Sequence, residues 1–365
     1  MAKVIILMLP EPGHYLPTLR IAHTLRSLGH SVCYVTLPHY EAFFLEQGLA
    51  AHVLQIPGLP AHGAEDIFST KLVNRNVSEG ISDYLSGMKL TLCRFLEKEL
   101  GENSIDLLVC DAWLSKFVVP CANRLSKHLV IMNITLPVKD VSQDGPGHLE
   151  VVLCPYEFEM PDSSQLARGR HYGEPSIYRN RETNSFPWNR LADNKPLIYC
   201  SFGSQTSAYA LAAQAYQCLV DSFAELPGFR FVLVAKSSYQ ASLPPFPDNV
   251  IVVESAPQLQ LLERAAAFVT HGGLGSVKES VMAGVPMLVM PFAVDQPKNA
   301  QRVEHHKLGY ACPLGNCTPR RIAEMLGDLV SNRTIAQNIH AMSSIFNDAE
   351  RAAPVSAILQ RLVSQ

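Results

Sequence analysis

The chain has no marked excess of either charge: 33 acidic residues against 30 basic ones leave a formal net charge of −3. That balance gives no electrostatic footprint for a nucleic acid or an anionic membrane surface, so neither is expected as a partner. No apolar run approaches the ~18 residues of a spanning helix, so no integral membrane segment is expected. The opening MAKVIILMLP stops at Pro10-Glu11-Pro12-Gly13 without a small-residue cleavage pattern, and reads as a buried first strand rather than a signal peptide. Nine cysteines include no C-x-x-C pair, and several sit inside apolar runs, as Cys110 does in LLVCD and Cys200 in LIYCS. They read as small buried hydrophobes of a reducing compartment, which argues against a zinc site or a disulfide scaffold. Also missing are the G-x-x-x-x-G-K-[ST] phosphate loop, the G-x-S-x-G nucleophile elbow, and a G-x-G-x-x-G in the first strand–helix turn. The expectation is a soluble cytoplasmic protein without a metal, a monomer or weak dimer.

What is present is apolar and regularly punctuated. The 365 residues are 47% hydrophobic and 17% charged, enough for two domains that each bury a core. Strands are expected at Val4–Leu9 and Ser31–Thr36, with a loop at Pro10–Leu16 and a helix at Thr18–Leu28 between them. A long helical stretch at Ile81–Leu100, a strand at Ile105–Cys110, a helix at Lys116–Leu125 and a strand at Leu129–Asn133 follow. Buried runs alternating with helices mean a parallel sheet covered on both faces. From about Asp140 to Lys195 the chain turns rich in Pro, Gly, Arg and Asn and reads as a connecting segment. The α/β pattern then restarts with strands at Pro196–Ser201, Arg230–Val234, Val250–Val253, Ala267–Thr270 and Met287–Pro291. Helices are expected at Ala208–Leu226, Leu274–Ala283 and Lys298–Lys307, and a last helical region from Pro319 breaks near Phe346–Asn347. The expected division is residues 1–172, a linker at 173–194, a second domain at 195–346 and a terminal helix at 347–365.

Ligands of open parallel sheets bind beyond the carboxyl ends of the strands, and four segments fall there. In THGGLGSVKE, Thr270 to Glu279, a strand ends in a histidine, passes two glycines and restarts as a helix. The glycines let the backbone approach a ligand, and the helix start points N–H groups and a positive dipole end at the same spot. His271 and Ser276 offer donors to a phosphate, and Glu279 a carboxylate to a vicinal diol; the alternative is a plain turn. In Glu11-Pro12-Gly13-His14, His14 reads either as a general base or as a capping or surface histidine. Asp111, ending its strand, is either the carboxylate that orients that histidine or an N-cap. Ser201-Phe202-Gly203-Ser204 offers amides and a hydroxyl, a second phosphate clamp. Asp295-Gln296 has the directional donors and acceptors that read sugar hydroxyls, or caps a helix.

The stretch Ser255–Arg302 resembles the donor-binding motif of the family 1 nucleotide-sugar glycosyltransferases, through PQ, LL, FVTHGG, GS, E, AGVP, P and DQ with NA. The P-x-x-G-H-x-x-P-like opening, the LLVCD aspartate and the SFGS loop match the same family in order. PYEFEMP, FPWNRL and the compact length look most like the bacterial macrolide and zeaxanthin-type glucosyltransferases. The resemblance implies the GT-B fold, two Rossmann-like domains facing across a cleft, with the last helix returning to the first. It implies inverting, metal-independent transfer of a sugar from a nucleotide diphosphate to a small-molecule hydroxyl, with no cofactor beyond the donor. By it His14 is the base and Asp111 its partner. Ser204, His271, Gly273 and Ser276 contact the diphosphate, Gly203 and Gly275 also bind the donor, Glu279 holds the ribose, and Asp295 with Gln296 reads the sugar. The motif usually opens with a tryptophan that stacks on the nucleobase; here that position is Ser255, so either stacking comes from elsewhere or the backbone around Pro257-Gln258 holds the nucleobase. Glu279 favours UDP over dTDP, and Gln296 favours glucose. Other readings are a nucleotide-sugar epimerase of the same fold and a non-catalytic relative. The acceptor is expected in the first domain, in the loops between Leu54 and Leu100 and around Val138–Glu157.

Overall fold

The computed structural model describes residues 1–54, 92, 94, 96, 97, 105–136, 148–160, 169–181, 185–191, 194–206, 209 and 211–364. They divide into two compact units, Met1–Tyr178 with Asp348–Gln365, and Arg179–Asn347. The helical stretch expected at Ile81–Leu100 lies almost wholly outside the described residues, as does part of Val138–Glu157.

The first unit is built on seven parallel strands: β1 Lys3–Leu7, β2 Ser31–Thr36, β3 Ala50–Val53, β4 Ile105–Asp111, β5 Ser126–Asn133, β6 Leu149–Val152 and β7 Arg170–Tyr172. Their order is β3-β2-β1-β4-β5-β6-β7. Strand β1 shows why such runs read as continuous apolar sequence. Val4 and Ile6 enter one core cluster and Ile5 and Leu7 the other, so neither face of the strand meets water. Helix α1 (Pro12–Ser27) covers the first face with Tyr15, Leu19, Ala22 and Leu25, spaced as one helical stripe. Helices α2 (Glu41–Glu46) and α3 (Ser115–Leu125) complete the described helices before the second unit.

Two expectations fail in this unit. Pro10–Leu16 is not a loop, because α1 starts at Pro12, where proline's missing N–H costs nothing. His14 therefore stands in the first helical turn, its N–H bonded to the Glu11 carbonyl at 2.9 Å. Nor is Asp140–Lys195 only a connection, since β6 and β7 extend the sheet. Their charged residues disguise them: Glu150 and Arg170 are buried opposite one another, Arg170 Nε donating to Glu150 Oε2 at 2.6 Å.

The second unit holds β8 Leu197–Ser201, β9 Arg230–Val234, β10 Val250–Val253, β11 Ala265–Thr270, β12 Met287–Val289 and β13 Gly309–Ala311, all parallel, in the order β10-β9-β8-β11-β12-β13. Its helices are α4 Ala212–Phe223, α5 Ser237–Gln240, α6 Gln258–Leu262, α7 Leu274–Ala283, α8 Gln296–His305 and α9 Pro319–Ser331. Helix α10 (Arg333–Ala352) carries the chain out of this unit, and α11 (Pro354–Val363) belongs to the first. The expected break near Phe346–Asn347 is absent. Phe346 is fully buried and Asn347 donates to the Met282 carbonyl, so both sit inside a continuous helix. The breaks come at Asn332, whose Oδ1 accepts from the N–H groups of Thr334 and Ile335, and at Ala353, with φ +47 before Pro354.

Helix α11 is anchored to the first unit by a buried carboxylate. Glu174 accepts from the N–H groups of Val355 at 2.7 Å and Ser356 at 2.9 Å, and from the Ser356 hydroxyl at 2.6 Å. An anion at a helix N-terminus satisfies donors that have no intrahelical partner. Val355 and Leu359 complete the same core cluster as α1. No described helix is long and apolar enough to cross a membrane.

In both sheets the strand order reverses beside the first strand, between β1 and β4 and between β8 and β11. Those reversals open a crevice at the carboxyl ends of the strands, which is where the singled-out residues lie.

Candidate functional site

At the reversal in the first unit, the end of β4 faces the first turn of α1. Asp111 Oδ2 meets His14 Nδ1 at 2.5 Å. Asp111 is fully buried and held from two further sides, by the N–H of Leu9 at 3.2 Å on Oδ2 and the N–H of Trp113 at 2.9 Å on Oδ1. An ionised carboxylate only accepts, so Nδ1 carries the proton, and in the neutral form of the ring Nε2 is the acceptor. Trp113 stands edge-on to the imidazole at 6.4 Å. Asp111 does not cap α3, which starts at Ser115 behind Leu114 with no side-chain cap.

At the reversal in the second unit, the loops after β8 and β11 close on one ring. A Cβ at Gly203 would come within 2.7 Å of His271 Cε1, and one at Gly273 within 2.7 Å of its Nε2. Glycine is required on both sides for the imidazole to fit. Gly203 and Gly272 also adopt positive φ, +80 and +86. Burial holds the His271 ring well below its ordinary value, at about 4, so it is neutral at pH 7. Its Nδ1 is buried and meets no hydrogen-bond partner among the described residues. Helix α7 begins directly behind, with Gly273 at its N-cap and no side chain capping it. Gly275 and Ser276 lie in its first turn, where N–H groups lack intrahelical acceptors. Ser204 is exposed in the turn after Gly203, and Ser255 is exposed ahead of α6.

Glu279, further along α7, is buried and already engaged. Arg181 donates to its Oε1, and Gln258 Nε2 donates to its Oε2 at 2.7 Å. Gln258 also reaches Ser276 Oγ at 3.5 Å and accepts from the Tyr199 hydroxyl at 3.2 Å. A carboxylate has about four lone-pair sites, so two remain for other donors. Gln296 is buried as well. Its Oε1 accepts from the N–H groups of Phe292 at 2.8 Å and Ala293 at 3.1 Å, and its Nε2 donates to the Tyr209 hydroxyl at 2.8 Å. Asp295 is only partly buried, and its Oδ2 accepts from Asn299 Nδ2 at 2.9 Å. Val294 just before it has φ +60, a strained conformation for a β-branched residue.

The structure thus draws His14 to Asp111 in one unit, and Gly203 to His271 and Gln258 to Glu279 in the other. Sequence reasoning missed Arg181, Tyr209 and Asn299. Asn299 ties two loops together, donating to the Gly272 carbonyl at 2.9 Å as well as to Asp295. Its place in DQ with NA was visible; nothing in the sequence ties Arg181 to a carboxylate 98 positions away.

The family model for UDP-glucoronosyl and UDP-glucosyl transferase matches residues 193–357. Over the whole chain, an uncharacterised UDP-glucosyltransferase of Bacillus subtilis, YdhE, is 23% identical and covered to 99% of its length. The chain is a glycosyltransferase, its second unit matching the model of this family. An oleandomycin glycosyltransferase of Streptomyces antibioticus is 33% identical over 43% of this glycosyltransferase and 36% of its own length. Among solved structures, the calicheamicin glycosyltransferase CalG4 superposes with a TM-score of 0.77 at 18% identity, covering 100% of this glycosyltransferase and 99% of that chain. The likeness shows the GT-B fold.

Proposed function

We propose that the protein transfers a sugar, glucose from UDP, to a hydroxyl of a lipophilic natural product, with inversion and without a metal. The 2.5 Å contact between His14 and the buried Asp111 is the observation that carries this reading. An acceptor hydroxyl is a poor nucleophile and needs its proton removed during attack. Nε2 of His14 takes that proton, and Asp111 stabilises the imidazolium that forms. Direct attack by the acceptor on the anomeric carbon, with the diphosphate leaving from the opposite side, inverts that centre.

The second unit supplies the donor end. The uncapped start of α7 and the orphaned Nδ1 of His271 suit the diphosphate, whose negative charge grows as it leaves. A Cβ at Gly275 would meet nothing within 4 Å, so its glycine is not dictated by packing and suits close approach of a ligand. Glu279 has lone pairs left for a ribose diol beside Arg181 and Gln258. With Gln296 committed to Phe292, Ala293 and Tyr209, Asp295 is the principal reader of sugar hydroxyls, and Gln296 shapes the loop that presents it. The relatives named for oleandomycin and calicheamicin support a natural-product acceptor.

The test is incubation with UDP-glucose and dTDP-glucose against a panel of lipophilic alcohols and phenols, read by mass spectrometry. Transfer from UDP-glucose, unaffected by EDTA and abolished in His14→Ala with UDP binding retained, is the expected result. Full transfer by His14→Ala would remove the base assignment.

A further inference from the structure

Nine cysteines without a C-x-x-C pair read as inert apolar fillers, yet three of them converge in the second unit. Cys218 lies in α4, Cys312 directly after β13, and Cys317 in the turn before α9. Cys317 Sγ stands 3.1 Å from Cys218 Sγ, across 99 positions of sequence, and is hydrogen-bonded to Cys312 as well. Cys218 and Cys317 are partly exposed, whereas Cys312 is buried beneath them. Among the described residues no group of three or more His, Cys, Asp or Glu is arranged to hold a metal ion.

We propose that Cys218 and Cys317 form a reversible disulfide, making this cluster an oxidation site for hydroperoxides. One thiolate attacks the peroxide, so that an S–O bond forms, the O–O bond breaks, and hydroxide (from hydrogen peroxide) or alkoxide (from an organic hydroperoxide) departs to be protonated. The neighbouring thiolate then attacks the sulfenyl sulfur, forming S–S and expelling hydroxide, which leaves as water. Overall two thiols lose two electrons and two protons, and one hydroperoxide is reduced. Nucleophilicity requires a thiolate, and the contact between the two sulfurs puts the second within reach once the first has reacted. A hydrogen bond from Cys317 brings the Cys312 thiol down to about 7, whereas burial holds Cys218 up and the hydrogen bond to Cys312 together with burial holds Cys317 up, so oxidation of the pair speeds up as pH rises. Cys200 is a contrasting case, fully buried in β8 with its thiol pushed well up by desolvation. Residue Tyr216, two positions before Cys218, packs edge-on against Phe202 of the loop after β8, so the crosslink would fix the helix that supports that loop.

The experiment treats the full-length protein with hydrogen peroxide, blocks remaining thiols, and maps crosslinked peptides by mass spectrometry without reductant. Expected are a dominant Cys218–Cys317 peptide, loss of two reactive thiols per chain, reversal by dithiothreitol, and a raised Tm in the oxidised form. Cys317→Ser should lose the crosslink, while Cys200→Ser should keep it. If Cys317→Ser folds poorly, differential alkylation of the wild type gives the answer independently, because protection must fall on positions 218 and 317 together. Absence of that peptide, or oxidation of Cys317 only to the sulfinic acid, would overturn the proposal.

Discussion

His271 makes a quantitative prediction about acid stability. In the unfolded chain its imidazole takes up a proton as pH drops below 6.5, whereas in the folded second unit burial delays protonation to about 4. Between those values unfolding binds a proton, so acid favours the unfolded state. The stability tied to a neutral His271 is fully present above pH 6.5 and is lost as pH falls toward 4. From pH 7 to pH 5 the loss is on the order of 2 kcal/mol by linkage, a ceiling because the ring as a whole is only partly buried. Other groups titrate in the same window, so the comparison that isolates the effect is with His271→Asn, which has nothing to protonate there and is small enough for the space between Gly203 and Gly273. Urea unfolding of both proteins at pH 7 and pH 5 gives the difference directly. The advantage or deficit of wild type over variant should shift by on the order of 2 kcal/mol toward the variant at pH 5. Parallel behaviour within about 0.5 kcal/mol would mean that the folded ring is not held neutral by burial.

Three other outcomes follow from the geometry. Asp111→Asn should keep the fold but lower kcat by two or more orders of magnitude, roughly as expected when the orienting carboxylate of a base is removed; unchanged kcat would divorce Asp111 from catalysis. Glu279→Ala should raise the donor KM and also destabilise the protein by about 1–3 kcal/mol through the lost Arg181 and Gln258 contacts, whereas Arg181→Ala should destabilise while leaving donor KM nearly unchanged; equal KM effects would show that Arg181 acts on the donor itself. Val294→Gly should be neutral to stabilising by roughly 1 kcal/mol in thermal unfolding, since glycine adopts φ +60 without strain; a marked loss would mean that the valine side chain makes contacts outweighing its backbone strain.

How far the sequence could be read depended on whether a residue's role was written in its neighbours. Strand β1 and helix α7 were legible because continuous burial and flanking glycines leave local marks: Gly273 and Gly284 bracket α7, the latter with φ +71 at its C-cap. The start of α1 was obscured by Pro12, Gly13 and Pro17, which mimic a loop although the first is at a position where proline suits a helix. Strands β6 and β7 were hidden because Glu150 and Arg170 neutralise one another only once paired. His14 and Asp111 could be matched from afar, each lying at the carboxyl end of an adjacent strand. The state of Glu279 could not, because its partner Arg181 comes from a segment with no motif, and burial that couples the two exists only in the folded chain.

Glu174 and helix α11 carry a consequence for how the molecule is made. The first unit takes its residues from both sides of the second, Met1–Tyr178 and Asp348–Gln365. The second unit is continuous in sequence, whereas the first is complete only once the helix that Glu174 holds has been made. Until then Glu174 is a carboxylate without its helix, and the cluster around α1 lacks Val355 and Leu359. A chain cut after Asn347 would therefore keep every residue of the second unit while the first lacks the helix that Glu174 holds.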